Sequence, residues 1–272
     1  MLRFIPTPIG NPQDITIRAL REFEKATLFL CEDTRETKRL LSILSQRFDF
    51  SMPDADFLSF HEHNGKERLV EVSSRIIEED VVYVSDAGMP IISDPGQILV
   101  EYCQQNGIEY DILAGASAVV TAYAASGFDE GEFTFWGFLP HKGSSRSSQL
   151  SRVMNSSINS ILYEAPHRLE KLIREIASID KSREIFLAKE LTKKFQRYYK
   201  GTTKEILEQL DSINLKGEWV VVIKAKESQE KALYLDDILN LDIAPKIKAK
   251  LLSKITDETT KEWYSKIIEK KI

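Results

Sequence analysis

Cysteine is nearly absent from this chain: its 272 residues include two, Cys31 and Cys103, far apart in sequence. A fold held by disulfides is excluded, and neither thiol needs a partner. Cys31 ends an apolar run and reads as a buried thiol rather than a nucleophile. No apolar stretch approaches the ~20 residues of a membrane-crossing helix. Met1-Leu2-Arg3 leads into a short strand-like segment, not a secretory signal. The G-x-G-x-x-G fingerprint of dinucleotide folds is missing, and so is the H-E-x-x-H of zinc hydrolases. There is no internal repeat and no low-complexity tract. Together these absences point to a cytoplasmic globular protein.

What is present is ordinary in amount and uneven in distribution. Hydrophobic residues at 42% and charged residues at 29% give enough core for about two domains. The net charge of −5 hides an asymmetry. Residues 1–139 hold eleven Lys and Arg against twenty-three Asp and Glu, and residues 140–204 hold fourteen against six. A basic band on an acidic protein reads either as a polyanion footprint or as solvated helix faces.

Short apolar runs alternate with helical patterns. Strands are expected at Leu2–Ile5, Leu28–Cys31, Leu58–Phe60, Val81–Ser85 and Tyr110–Leu113, then at Phe133–Phe138, Ile161–Tyr163, Ile185–Lys189 and Trp219–Lys224. Ala19, Leu20, Phe23 and Ala26 share one face of an expected helix, Ile15–Ala26, with Asp14 as its N-cap. Such alternation argues for α/β architecture with largely parallel strands. Gly-containing breaks at 114–118 and 127–131 divide the pattern. The expected domains are residues 1–114, residues 115–225 and, after a polar linker, a small helix-turn-helix-like tail at 233–272.

Four segments could carry chemistry. Ser85-Asp86-Ala87-Gly88-Met89-Pro90-Ile91-Ile92-Ser93-Asp94-Pro95-Gly96 follows a strand and can bring backbone close to a ligand. Its carboxylates suit a neutral or cationic molecule, or a metal, better than phosphate. Pro6-Thr7-Pro8-Ile9-Gly10-Asn11-Pro12 lies at a strand's carboxyl end, where α/β sheets hold small molecules. Cys31-Glu32-Asp33-Thr34-Arg35 reads either as acid–base carboxylates or as a salt-bridged helix start. His61-Glu62-His63-Asn64 has no further ligands at metal-site spacing, so contact with a polar ligand or a capped turn is the better reading. Tyr163-Glu164-Ala165-Pro166-His167-Arg168 falls inside the basic band and, with Lys142, Arg146, Lys189, Lys193 and Lys194, reads either as a phosphate contact or, for any one residue, as solvated surface charge.

In order, Phe4-Ile5-Pro6-Thr7-Pro8-Ile9-Gly10-Asn11, Asp14-Ile15-Thr16, Cys31-Glu32-Asp33-Thr34-Arg35, Ser85-Asp86-Ala87-Gly88, Ser93-Asp94-Pro95-Gly96, Gly137-Phe138-Leu139-Pro140, Pro166-His167-Arg168-Leu169 and Lys189-Glu190-Leu191-Thr192-Lys193 form a series. The series resembles the RsmI family, the 16S ribosomal RNA cytidine 2′-O-methyltransferases of the tetrapyrrole methylase superfamily. The match spans roughly residues 1–225. The resemblance implies two α/β domains with S-adenosyl-L-methionine in the cleft between them, a homodimer, and the small ribosomal subunit as partner. It implies cofactor contacts at Ile9, Asp86, Gly88, Met89, Ser117, Ala118, Tyr163, Leu191 and Glu218. The chain departs from the family pattern at Ala114 and Ala116, where prolines are usual, and at Met89, where threonine is usual.

The implied reaction is displacement at a sulfonium methyl by a ribose 2′-hydroxyl. Candidates for the base are Glu32 and Asp33 first, then His61 and Glu62. Arg35, His61, Lys142, Arg146, His167, Arg168 and Lys193 are the candidates for gripping RNA. No metal is expected. Two rivals stand beside this reading: a methylase of the same fold acting on a small molecule, and an RNA-binding protein without catalysis.

Overall fold

Leu28-Phe29-Leu30-Cys31 and Val81-Val82-Tyr83-Val84 are buried at every position. Runs apolar on both faces belong at the centre of a parallel sheet covered on both sides. A computed structural model, describing residues 1–61, 64–92, 96–129, 131–226 and 235–269, places them there. The first sheet holds β1 (Leu2–Phe4), β2 (Leu28–Cys31), β3 (Asp56–Ser59), β4 (Val81–Val84) and β5 (Tyr110–Ile112). Its order is β3-β2-β4-β1-β5, with every pair parallel. Helices α1 (Ile17–Lys25), α2 (Thr34–Arg47), α3 (Gly65–Glu78) and α4 (Gln97–Asn106) connect the strands. Phe23, Phe29 and Leu41 fill one face of the sheet, and Phe4, Tyr83 and Leu99 the other.

The helix start differs from expectation. Asp14 ends a short 3₁₀ turn, and Thr16 caps α1 by accepting the N–H of Ala19 at 3.0 Å. Thr16 has the extended backbone a cap needs, three residues before the N–H it satisfies. The third strand starts at Asp56 rather than Leu58 and stops before Phe60, whose N–H still reaches Cys31 O at 2.7 Å.

Helix α5 (Ala118–Ser126) leads into a second set of elements. These are β6 (Phe133–Phe138), α6 (Gly143–Met154), β7 (Asn159–Glu164), α7 (Pro166–Ile179), β8 (Glu184–Lys189), β9 (Arg197–Thr202), α8 (Thr203–Gln209) and β10 (Trp219–Ile223). The sheet order is β6-β7-β10-β8-β9. Only β6 and β7 are parallel; β10 runs antiparallel to β7 and β8, and β9 antiparallel to β8. The expectation of largely parallel strands therefore holds for the first sheet and fails for the second. There, β8 and β9 are joined by a turn without a helix, so β9 folds back on β8. Val119 and Ala122 of α5 pack on Phe186 and Val220 of this sheet, and Ile9 joins the same cluster.

Residues 1–226 form one compact unit and residues 227–272 another. The second unit contains α9 (Leu235–Leu239), α10 (Pro245–Leu252) and α11 (Thr260–Ile268) around Ile238, Ala249, Leu252 and Trp263. A reciprocal capping box of Thr259 and Glu262 starts α11. Among the described residues, no helix is long and apolar enough to cross a membrane.

Candidate active site

The carboxyl ends of parallel strands present loops rather than ladder partners, so ligands collect there. The loops after β1, β2 and β4 meet the edge of the second sheet around a cavity of about 500 Å³. That is the size of a small-molecule site. Ile9, Asp86, Gly88, Met89, Ser117, Ala118, Tyr163, Leu191 and Glu218 all lie in its wall. The sequence scatters these nine residues, and the two sheets bring them together. Glu32 lies in the wall as well. So do Phe138, quoted earlier only as part of a motif, and Trp219, neither of which was a candidate site residue. Their signal was positional, since Phe138 ends β6 and Trp219 begins β10.

The cavity wall is tied by backbone bonds. Thr7 and Gly88 exchange N–H···O bonds of 3.0 Å in each direction. Gly88 has φ +83°, which favours glycine, and a Cβ there would stand 3.1 Å from Ile9 Cγ2, close enough that Ile9 would have to give way. At Gly10 a Cβ would sit 2.7 Å from Leu191 O, so the first loop touches the second-half loop backbone to backbone. Asn11 N–H donates to Thr192 Oγ1 at 3.0 Å along the same seam.

Glu190 and Thr192 have φ of +50° and +62°, unusual for residues with a Cβ. Surrounding bonds hold them there. Glu190 N–H donates to Glu218 O, and Glu218 N–H donates to Glu190 Oε1, both at 2.9 Å. Lys193 Nζ lies 3.2 Å from Glu190 Oε1 and 3.0 Å from Glu218 Oε1. Strain of this kind persists where neighbours over-determine the backbone.

The acids at the first sheet's edge have distinct environments. Asp33 caps α2, accepting the N–H of Arg35, and its carboxylate also pairs with the Arg35 guanidinium at 2.7 Å. The guanidinium holds the Asp33 carboxyl down at about 2. Asp86 Oδ1 accepts the N–H of Asp33 at 3.1 Å, and Asp86 N–H points at Glu32 Oε2 at 3.4 Å. Burial raises the Asp86 carboxyl above the usual range, against the pull of the Asp33 N–H. Tyr163 is pushed up by burial and then by the Glu218 carboxylate, so its hydroxyl stays a donor at neutral pH. Cys31 is fully buried, and burial drives its thiol up to about 12.

Two residues read as phosphate contacts are structural. Arg146 is 2% exposed, with its guanidinium on Glu175 at 2.8 Å, Glu164 at 3.5 Å and Pro140 O at 3.1 Å. Arg168 pairs with buried Glu164 at 3.0 Å and donates to Leu139 O at 2.6 Å. Both arginines hold the turn after β6 against the end of β7. Lys189 is also buried, its ammonium on Asn214 O. Lys193 is engaged by Glu190 and Glu218, as described. Arg35, Lys142 and His167 remain exposed. The His167 ring lies 6.4 Å from that of His141. His61 does not line the cavity; its N–H donates to Asn64 Oδ1 at 2.8 Å in the turn before α3. Glu62, His63 and the segment Ser93-Asp94-Pro95 lie outside the described residues. Among the described residues, no group of His, Cys, Asp and Glu is arranged to hold a metal ion.

Two sheets sharing a cleft at their loop ends define a class. Residues 1–207 match the family model described as Tetrapyrrole (Corrin/Porphyrin) Methylases. Uroporphyrin-III C-methyl transferase from Thermus thermophilus, solved with S-adenyl homocysteine, shares the fold with a TM-score of 0.56 at 13% identity, over 82% of this chain and 96% of that one. Ribosomal RNA small subunit methyltransferase I of Campylobacter fetus is 45% identical over 98% of this chain and 100% of its own length. Its Helicobacter pylori counterpart is 41% identical over 100% and 99%. The chain belongs to the tetrapyrrole methylases and, within them, to the ribosomal RNA small subunit methyltransferase I family, and it is a methyltransferase of two α/β domains with a helical tail.

Proposed function

We propose that this chain transfers a methyl group from S-adenosylmethionine to the ribose 2′-hydroxyl of a cytidine in 16S ribosomal RNA of the small subunit. The observation that carries the reading is the convergence of the nine expected contacts on one cavity of about 500 Å³. The donor set fits such a cofactor. Ile9, Leu191 and Val220 offer apolar wall, Gly88 offers close backbone, and Glu32, Asp86 and Glu218 offer negative charge. Acids beside an apolar slot suit a ligand with a flat ring at one end and a cation at the other. S-adenosylmethionine supplies an electrophilic methyl group on a positively charged sulfur.

Most of the rate comes from holding the attacking oxygen in line, which is the task of the tied loops. Glu32 is the better base of the two carboxylates first considered. It faces the cavity, whereas Asp33 is committed to Arg35 and to the start of α2. In this reading Glu32 accepts the proton of the 2′-hydroxyl, and Asp86 holds the cationic end of the cofactor. Of the cations first considered, Lys142, His167, Lys194 and Arg35 are exposed and left to contact phosphates. The protein acts in the cytoplasm as a homodimer.

The test is methyl transfer from radiolabelled S-adenosylmethionine to small ribosomal subunits lacking native modifications, with the product mapped by nuclease digestion. Label at a cytidine 2′-oxygen is expected. Cofactor binding without label would move the assignment to a small-molecule substrate. Loss of both would leave a non-catalytic RNA-binding protein.

A further inference from the structure

Between β8 and β9 the chain makes two consecutive tight turns. Lys193 N–H donates to Glu190 O at 3.0 Å, and Gln196 N–H donates to Lys193 O at 3.1 Å. Gln196 Oε1 accepts the N–H of Thr192, which is itself tied to Asn11. The turn is thus anchored to the cavity wall through Leu191 and Thr192. Lys194 and Phe195 are exposed on the turn, followed by exposed Arg197 and Tyr198, the first two residues of β9.

Phe195 is 64% exposed and Tyr198 45%. A lone exposed phenylalanine is ordinary. Two rings interleaved with two exposed cations, beside a reaction cavity, form a different pattern. Lys194 Nζ lies 5.6 Å from the Phe195 ring centre, and the Tyr198 ring leans on Phe186 at 5.4 Å, which steadies it. Among the described residues, no carboxylate pairs with Lys194 or Arg197; Arg197 donates to Gln196 O. Rings beside an arginine also suit a protein partner, but an exposed lysine among them does not, because Lys is depleted in such interfaces. A single strand of nucleic acid uses both, stacking bases on rings and placing phosphates on cations. The turn belongs to residues 140–204, which hold fourteen Lys and Arg against six Asp and Glu, a balance that favours phosphate.

We propose that this turn and the start of β9 form a ledge for the unpaired RNA flanking the target nucleotide. Phe195 and Tyr198 stack bases, and Lys194 and Arg197 take the adjacent phosphates. The proposal rests on the RNA methyltransferase reading and adds Phe195, Arg197 and Tyr198 to it.

The test uses the full chain and fluorescently labelled decauridylate, titrated by anisotropy over a range of salt. Calorimetric binding of S-adenosylmethionine and methyl transfer to unmodified small subunits are measured in parallel. Phe195→Ala is expected to weaken RNA binding roughly tenfold, with the salt slope and cofactor affinity unchanged. Phe195→Trp restores binding. Lys194→Gln and Arg197→Gln each lower the salt slope by about 0.7, as loss of one single-strand phosphate contact requires. In methyl transfer, Phe195→Ala raises KM and leaves kcat in place. Unchanged RNA affinity in both Phe195→Ala and Tyr198→Ala, while the wild type still methylates, would overturn the ledge alone. A wild type that binds cofactor but neither binds nor methylates RNA would overturn the ledge together with the reading beneath it. Dissociation of a dimer by Phe195→Ala, with RNA affinity intact, would reassign the rings to a contact between two copies.

Discussion

Thr192 Oγ1 accepts the backbone N–H of Asn11 at 3.0 Å, joining segments 181 residues apart. The bond fastens the loop after β1 to the loop after β8, and both loops line the cavity. Thr192 takes up φ +62° to make it. Thr192→Ala removes the acceptor while keeping the strained backbone. The expected cost is about 1 kcal/mol of stability, read as a lower denaturant midpoint. Cofactor affinity should fall with it. A variant that loses stability with calorimetric affinity unchanged would show that the seam does not shape the cavity.

Asp86→Asn separates charge from geometry. The amide oxygen can still accept the N–H of Asp33. Burial raises the Asp86 carboxyl, so the folded chain holds this proton more tightly than the unfolded chain does. That stabilisation is present at low pH and is lost as pH rises from the ordinary aspartate range through the raised value. At neutral pH the charged group therefore opposes folding. The variant should melt no lower than the wild type at pH 7, and its stability should decline less with pH across that window. Binding of S-adenosylmethionine should weaken roughly tenfold if Asp86 holds the cationic end. A lower Tm at pH 7 would contradict the assignment of the shift to burial.

Arg146→Ala distinguishes an internal ion cluster from a phosphate contact. Removing the arginine leaves buried Glu164 with the Arg168 guanidinium and the Ala165 N–H, and leaves Pro140 O with a 3.4 Å bond from Arg168. The expected loss is about 3 kcal/mol, or a drop in Tm of roughly 10 °C for a unit of this size. A variant with wild-type Tm but a flatter salt dependence of RNA binding would return Arg146 to the surface footprint.

Gly10→Ala tests the close approach of the two loops. The added carbon would stand 2.4 Å from Lys193 Cγ and 2.7 Å from Leu191 O. The lysine can move aside, but the carbonyl cannot without shifting the strained loop. Destabilisation of about 1–3 kcal/mol is expected, as for overpacking elsewhere. Chemical denaturation measures it. A neutral result would mean that the seam can open without penalty.

The first sheet was legible in the sequence because β2 and β4 are uninterrupted apolar runs. Strand β9 was not, because Arg197-Tyr198-Tyr199-Lys200-Gly201-Thr202 is an edge strand carrying charge and glycine where a central strand carries apolar residues. Nor was the antiparallel return of β10, since one strand's pattern does not reveal its neighbour's direction. In the site, the loops after β1, β2 and β4 were readable from their place at strand ends, whereas the cofactor contacts at Ser117, Ala118, Tyr163, Leu191 and Glu218 came only from the family resemblance. The fate of the basic band was not. Arg146 becomes internal only because Glu164 and Glu175 arrive from β7 and α7, and no local spacing announces that meeting. Asp33 was open to two readings, and its bonds to Arg35 decide for the helix start.

The reciprocal backbone bonds between Thr7 and Gly88 act as one rung of antiparallel sheet laid across a loop, and Glu190 and Glu218 are tied by one backbone bond and one from the Glu218 N–H to the Glu190 carboxylate. A loop carrying such a rung loses its conformational freedom when the chain folds, not when a ligand arrives. Binding then has little ordering entropy to overcome. The cavity works as a mould set in advance, and a ligand of the wrong shape gains nothing from loop adjustment.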